Sequence, residues 1–496
     1  MSEIRPKKAT LDHVLKYMGI FGGVQGLMML IGVVRNKLAS LFLGTAGFGL
    51  MAIYSSIADL VQSCSNLGLP IASVQRMSEL FETGDEAAIA HFTKVVRTWS
   101  FWAAMFSVVF TLALAPLLAK LFFEGEPSRL WNIMLLAPMI ATVIISTGEA
   151  SILKGLRHLK RVASISAISA VTTLCLTVPF FWAMGLQGIL LSLNLSTLAV
   201  LAVHLAFTVP LFPWRIELFS REIFHEGIPL IRIGIPYVLA AVAGTGSAML
   251  LQAFLKRESS EETLGLYRVA YTLMVSYAGI AFSAFEADYF PRLSSVNHSC
   301  QDRNEVINQQ IRVGVMVITP LLLVMLVLMP IILSILFKDE FLPAVDMALC
   351  AVFFTFLRSI TVPIGYTALA CGHSMRYLIM EAIYDVVSLL LIAFSYHFWG
   401  LMGAGIGLSL SALFDLLLIG ITYGILYRFR MTTATARLAI GQSILVGGCL
   451  AVCYLLPPIG KYVVGGILIA LSLAYSYRYL SQESTVIIKI RNKLRR

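Results

Sequence analysis

The chain has 496 residues, of which 58% are hydrophobic and only 13% charged, and its mean hydropathy is +0.84. Soluble domains are closer to half apolar and a quarter charged, so the composition excludes a soluble enzyme, a disordered chain and a disulfide-stabilised secreted domain. The seven cysteines are scattered, mostly within apolar runs, with no metal-ligand spacing, and are interpreted as packing residues. The formal net charge is +10, which would suggest nucleic acid as a partner in a soluble protein.

Apolar runs bounded by charged or turn residues predict fourteen transmembrane helices, since one crossing needs about 20 apolar residues. The predicted fold is therefore an all-α polytopic membrane protein. The predicted spans are 16–43, 46–68, 97–122, 130–153, 162–184, 186–211, 229–255, 264–289, 313–337, 344–370, 377–398, 401–427, 437–456 and 461–480.

The basic residues are distributed unevenly between the two ends of these spans. With the N-terminus in the cytoplasm, 26 of the 37 Lys and Arg residues fall on cytoplasmic ends and loops and six on the opposite side. The positive-inside rule then predicts that both termini are cytoplasmic. Membrane topology explains the net charge, and no nucleic acid partner is expected.

Short matches recur in chain order at a nearly constant offset and predict an internal duplication of six helices. The matches are Gly49-Leu50 with Gly265-Leu266, Arg76 with Arg292, Pro116 with Pro330, Gly155 with Gly372, and Gly185 with Gly400. The predicted domains are an N-lobe at 1–228, a C-lobe at 229–430, two further helices at 431–480 and a basic cytoplasmic tail at 481–496.

A repeat of six helices predicts two lobes related by a pseudo-twofold axis along the membrane normal, with a cavity at their interface. This architecture is typical of carriers that work by alternating access. The long amphipathic loop Ser73–Arg97 predicts an interfacial helix pair and disfavours the major facilitators, which are expected to have a short loop there.

The first helices carry a recognisable pattern. Val34-Arg35-Asn36-Lys37-Leu38-Ala39 is followed by Leu43-Gly44-Thr45-Ala46-Gly47-Phe48-Gly49, Ser55-Ser56-Ile57, Leu67-Gly68-Leu69 and Val74-Gln75-Arg76. This pattern resembles the Wzx-type polysaccharide repeat-unit (O-antigen) flippases, which share an exporter superfamily with the lipid II flippases and the multidrug and toxin extruders.

The resemblance implies a two-lobed carrier in the bacterial inner membrane that moves an undecaprenyl-diphosphate-linked oligosaccharide from the cytoplasmic to the outer leaflet. The implied partners are this glycan and membrane lipids, with a polysaccharide polymerase complex as a further candidate. No cofactor is implied beyond coupling to a cation gradient or to the membrane potential. In the fourteen-helix lipid II flippases, the last helix pair helps to form a lipid groove.

Four basic residues within the spans are candidates for binding the diphosphate or the sugars, because charges in a membrane are costly. Arg35 matches the position of a cavity arginine in the lipid II flippases, and its alternative is an ion pair with Asp59. Lys37 lies about 200° further around the same helix and cannot share the face of Arg35. Arg268 either binds phosphate or sugar or extends to the outer interface, and Arg358 either faces the cavity or pairs with Asp415.

The remaining charges within the spans are candidates for ion pairs or coupling-ion sites. Arg232 is expected to pair with Glu286 or Asp288 at the same depth. Glu149 also lies near an inner helix end, as do Glu381 and Asp385, which are spaced i, i+4. These carboxylates are either solvated from the cytoplasm or bind a coupling ion.

No catalytic or metal motif is found, and the eight histidines are dispersed, so an enzyme is not expected. A drug or small-cation extruder of the same superfamily, a lipid II-type flippase and a structural scaffold remain alternative functions.

Overall fold

The computed structural model describes residues 8–277, 289–290, 292–296 and 299–483, with side chains from residue 26 to 481 apart from Leu159. All regular structure in these ranges is helical. The α-helices are α1 (Lys8–Ser65), α2 (Leu69–Thr83), α3 (Glu86–Phe123), α4 (Pro127–Met134), α5 (Ala137–Gly155), α6 (Leu159–Met184), α7 (Gly188–Thr208), α8 (Arg221–Glu258), α9 (Glu261–Tyr271), α10 (Cys300–Leu336), α11 (Ala344–Cys350), α12 (Val352–Ala370), α13 (Ser374–Leu426), α14 (Thr433–Leu455) and α15 (Pro458–Glu483).

Within the described residues, ten helical stretches are long and apolar enough to cross a membrane. Three of them, Gly26–Ser65, Lys160–Thr208 and Ser374–Leu426, are 40 to 53 residues long and each contains two predicted spans. The ten stretches thus hold thirteen of the predicted spans, and the other, 264–289, runs into residues 278–288, which lie outside the described ranges. The predicted class, an all-α polytopic membrane protein, is confirmed.

The turns that follow α5 and α12 have the same conformation. Arg157 has a φ of +56° and Gly372 a φ of +75°, and each is followed by a histidine, His158 or His373. The backbone N–H of each histidine donates to the carbonyl five residues earlier, at 3.0 and 2.8 Å. The predicted match of Gly155 with Gly372 is therefore wrong by two residues, because Gly372 occupies the position of Arg157.

A second pair of equivalent positions lies where the next helices break. Gly185 has φ 55° and ψ −131°, and Gly400 has φ 57° and ψ −140°. A side chain is strained at such positive φ values, so glycine is the residue expected at both positions. Since α5 and α12 are both 19 residues long, the offset between equivalent positions is constant from α5 to α7.

The chain forms two compact units, unit 1 at Met1–Arg257 and unit 2 at Glu258–Arg496. Most of α8 belongs to unit 1, whereas the repeat assigns the seventh predicted span to the C-lobe. The units are defined by packing within the structure, whereas the lobes are defined by the predicted duplication, so their boundaries differ. The lobe boundary after residue 228 stays a prediction.

Within unit 2, the most buried of the described apolar stretches is the one that contains α12, a helix of the candidate site. The apolar window of the stretch Ala344–Ala370 is 72% buried, against 22% for α14 and 17% for α15. The two C-terminal helices pack on α10 and on each other. They therefore cover α10, and α12 lies deeper inside the unit.

Candidate functional site

The candidate site surrounds a small cavity between α12 and α13, which we call the α12–α13 cavity. Most of the polar atoms of the site line this cavity. Its volume is about 60 Å³, which is room for very few water molecules. Its lining residues recur at helical spacings on the facing sides of two helices. They are Arg358, Thr361, Val362, Gly365 and Tyr366 of α12, and Tyr377, Glu381, Asp415 and Ile419 of α13.

Arg358 and Asp415 form an ion pair across this cavity. Nη1 of Arg358 lies 3.5 Å from Oδ2 of Asp415, and the side chains are 29% and 3% exposed, respectively. The guanidinium also lies over the ring of Tyr384, 5.7 Å from its centroid. The predicted pairing of Arg358 with Asp415 is therefore observed, and the guanidinium also borders this small cavity within unit 2.

Two more carboxylates lie close to this ion pair. Glu381 lines the cavity, and Asp385 follows one turn later on α13, half-buried. Three carboxylates therefore share the neighbourhood of one cavity arginine. Such an arrangement attracts a proton or a small cation, since carboxylate oxygens are ligands for both and burial strengthens the attraction.

Two tyrosines, Tyr267 and Tyr271, lie next to Arg268 and to the charged residues around Arg358. Tyr267 is buried, and its ring stacks on Tyr271 with centroids 5.9 Å apart. Tyr271 lies within electrostatic range of Arg268, Arg358 and Asp385. Arg268 itself is half-buried, so the structure brings it near the group that surrounds Arg358.

The other predicted site residues lie in unit 1. Arg35 and Lys37 are half-buried on α1 before its break at Gly44, and Asp59 is exposed after that break. Arg35, Lys37 and Asp59 each have an interaction partner.

Arg232 is an exposed residue of α8. Its predicted partners, Glu286 and Asp288, lie outside the described residues, so the ion pair stays a prediction.

Unit 1 contains a buried ion pair that sequence reasoning missed. Arg97 of α3 donates from Nε and Nη2 to the two carboxylate oxygens of Glu149 of α5, at 2.8 and 3.1 Å. Its Nη1 donates to the carbonyls of Phe212 and Pro213, at 3.0 and 2.9 Å. The side chains of Arg97 and Glu149 are 2% and 1% exposed. Glu149 is therefore not solvated, and the pair holds α3, α5 and the segment after α7 together.

Solved structures of several exporters share this architecture. The lipid II flippase MurJ in an inward closed conformation matches with a TM-score of 0.69 and 13% identity over 93% of this chain and 99% of its own. An inward-facing multidrug resistance MATE family transporter of the MOP superfamily matches with a TM-score of 0.62 and 14% identity, over 82% and 96% of the two chains. A MOP superfamily transporter from Pyrococcus furiosus matches with a TM-score of 0.57 and 12% identity, over 82% and 95%.

At these identities the likeness shows the fold alone, and that fold is the one of MOP superfamily transporters. Residues 38–346 match the family model described as polysaccharide biosynthesis protein. This match covers more than half of the chain, so the chain belongs to that family. No curated protein matches the sequence. The resemblance seen in the first helices is confirmed at the level of the family, and the fold agrees with it.

Proposed function

We propose that the protein is a flippase that moves undecaprenyl-diphosphate-linked oligosaccharide repeat units from the cytoplasmic to the outer leaflet by alternating access. One observation carries this proposal: a chain with the fold of an exporter belongs to a family of polysaccharide biosynthesis proteins. A hydrophilic glycan on a lipid carrier cannot cross the apolar interior of a membrane unaided. A flippase is the function that agrees with both the transporter fold and the polysaccharide biosynthesis family.

In this proposal, cations within the spans bind the diphosphate. Arg35 and Lys37 in unit 1 and Arg268 and Arg358 in unit 2 are the candidates. A guanidinium suits the role, because its planar fork binds two phosphate oxygens and it stays charged in a site of low dielectric constant.

The carboxylates of the α12–α13 cavity are the proposed coupling site. Asp415 is buried beside Arg358, and Glu381 opens into the same cavity. A proton or a monovalent cation bound there changes the net charge around Arg358 and therefore its affinity for an anionic lipid. Coupling of this kind requires that ion and substrate act on the same arginine.

The role of Arg35 is tested by complementing a deletion strain and measuring its surface polysaccharide. Arg35→Ala should abolish the polysaccharide although the protein accumulates, and Arg35→Lys should restore only part of it, because an ammonium lacks the bidentate fork. The Arg35→Ala/Asp59→Asn double mutant tests the alternative, in which Arg35 only forms a structural ion pair with Asp59. An active double mutant would show that Arg35 only neutralises Asp59.

The rival function is a drug or small-cation extruder. Purified protein that binds organic cations and ignores undecaprenyl-diphosphate sugars would favour that function. Equal binding of lipid II and of repeat-unit lipids would favour a lipid II-type flippase.

The proposed orientation places both termini in the cytoplasm. A reporter fused after Arg496 or inserted at Arg157–Arg161 should read cytoplasmic, and one inserted at Ser259–Ser260 should read extracytoplasmic. A cytoplasmic reading at Ser259 would contradict the predicted topology.

A further inference from the structure

Three metal-ligating side chains of unit 1 meet outside the candidate site described above. They are His91 of α3 and Glu222 and Glu226 of α8. Nε2 of His91 lies 2.9 Å from Oε2 of Glu226, and one donor atom from each of the three side chains lies within 4.8 Å of the other two. The cluster joins two helices that are far apart in the chain.

The backbone around this cluster is fixed by contacts that do not involve its three members. Nε1 of Trp99 on α3 donates to the carbonyl of Ile223 on α8, at 3.1 Å. The Trp99 ring lies so close to Gly227 that a β-carbon there would collide with it. Since Ile223 and Gly227 each directly follow one of the two glutamates, this packing aligns both carboxylates with α3.

Helical spacing places both glutamates on one face of α8. Glu222 and Glu226 are four positions apart (i, i+4) in the first turns of the helix. His91 lies in the second turn of α3, which begins at Glu86 after its N-cap Asp85. The three donors therefore come from regular helices, which hold ligand positions more accurately than loops do.

Two basic side chains on α2 and α3, Arg76 and Lys94, already have carboxylate partners of their own. Nη1 of Arg76 lies 2.8 Å from Oε2 of Glu79, and Nζ of Lys94 lies 3.1 Å from Oε1 of Glu217. Glu222 and Glu226 therefore place two carboxylates beside the imidazole of His91, a donor set that suits a divalent cation.

We propose that His91, Glu222 and Glu226 form a binding site for a divalent transition-metal ion of the Zn²⁺ class. One imidazole nitrogen and two carboxylate oxygens are typical Zn²⁺ ligands, at bond lengths of about 2.0–2.2 Å, and water completes the coordination. Bonds of that length bring the donors to roughly 3.5 Å from one another. The exposed glutamate side chains reach this arrangement by rotating, without movement of the helices.

Solvent reaches the site through an adjoining groove. The groove has a volume of about 550 Å³ and is lined by residues of α2, α3 and α8, among them His91 and Glu226. An ion can therefore enter and leave the folded protein, so the site is open to exchange.

A bound ion would connect the first turns of α8 to α3. Pro229 and Pro236 follow within α8, and a proline inside a helix removes a backbone hydrogen bond and permits a bend. The metal would thus fix the part of α8 that precedes its prolines and leave the remainder free to bend.

The test is a titration of the full-length protein, purified without a histidine tag in detergent micelles, with ZnCl₂ by calorimetry and with CoCl₂ by visible absorption. The wild type should bind one ion per chain and should unfold at a higher temperature with Zn²⁺. His91→Gln and Glu226→Gln should each weaken binding by more than about tenfold, since even the loss of a supporting residue costs that much at metal sites.

His225→Gln is the matched control, because His225 is an exposed neighbour on α8 that is outside the cluster. It should bind Zn²⁺ like the wild type and show the same Co²⁺ spectrum. The variants should elute as monodisperse protein, so that a loss of binding is distinguished from misfolding. Absence of stoichiometric binding in the wild type, or unchanged affinity in His91→Gln, would overturn the proposal.

Discussion

The two units each contain an arginine–carboxylate pair, and the pairs differ in how completely they are enclosed. Arg97 and Glu149 in unit 1 are 2% and 1% exposed and are joined by two hydrogen bonds. Arg358 in unit 2 is 29% exposed and touches Asp415 through a single contact of 3.5 Å beside a cavity. The first pair is enclosed by protein, whereas the second lies beside a small polar cavity.

Equivalent positions of the two units can be compared residue by residue, because they keep one constant offset from α5 to α7. Each charged residue of the α12–α13 cavity has an uncharged equivalent in unit 1, and Glu149 has an apolar equivalent in unit 2. The equivalent positions are Arg358 and Val143, Glu381 and Ser166, Asp415 and Val200, and Glu149 and Ile364. The equivalent helices α5 and α12 thus contribute to a structural ion pair with α3 in unit 1 and to a polar cavity with α13 in unit 2.

The largest expected effect is the loss of stability in Arg97→Ala or Glu149→Ala. Removal of one partner leaves the other buried and uncompensated, which costs about 3–5 kcal/mol of the free energy of unfolding. Thermal unfolding in detergent micelles should show a much lower melting temperature. The Arg97→Met/Glu149→Leu double mutant should recover only part of the loss, because the carbonyls of Phe212 and Pro213 also lose their donor. An unchanged melting temperature in Glu149→Ala would contradict the structural role of the Arg97–Glu149 ion pair.

Arg358→Ala and Asp415→Asn should instead leave the protein folded and reduce transport. A hydrogen bond to a charged group contributes about 1.5–3 kcal/mol, so a lost contact to the substrate or to the coupling ion predicts a decrease of about tenfold or more in transport rate. Arg358→Lys should retain part of the rate. The measurement is initial transport in proteoliposomes, with Val143→Ala at the equivalent position of unit 1 as the matched control. Wild-type transport in Asp415→Asn would contradict the role given to the cavity.

A smaller effect is expected from Glu381→Gln and Asp385→Asn. Each variant removes one of three neighbouring carboxylates, so the site should bind a coupling ion more weakly without losing the arginine. Transport should continue at a reduced rate, and its dependence on pH or on Na⁺ should become weaker. Initial rates measured across a series of pH and Na⁺ gradients would show this change, whereas a pure loss of rate with the same ion dependence would exclude these residues from coupling.

Much of the fold is predictable from the sequence, because each crossing needs a long apolar run and the described helices contain thirteen of these runs. The breaks at Gly185 and Gly400 are predictable as a repeated pair, since only glycine tolerates their backbone conformation without strain. The match of Gly155 with Gly372 is wrong because identical residue types in the two halves need not occupy equivalent positions. The turn geometry instead pairs Gly372 with Arg157, a residue that adopts a positive φ despite its side chain.

The site is less predictable than the fold. Asp415 was one of two alternatives for Arg358, because both residues lie deep within spans of the same predicted lobe. The sequence does not predict the pairing of Arg97 with Glu149, since each lies near the end of its span and 52 residues separate them. Hydropathy treats such charges as solvated, and only the packing of α3 on α5 shows that they are buried against one another.

The proposed function is the transfer of a lipid-linked oligosaccharide from one leaflet to the other. The most direct measurement uses proteoliposomes that contain a fluorescent undecaprenyl-diphosphate oligosaccharide and a membrane-impermeant quencher of the exposed label. Wild-type protein should transfer the label between leaflets faster than empty liposomes, and folded Asp415→Asn should do so at least about tenfold more slowly. Transfer by the wild type at the rate of empty liposomes, with uptake of an organic cation in the same vesicles, would contradict the proposed function.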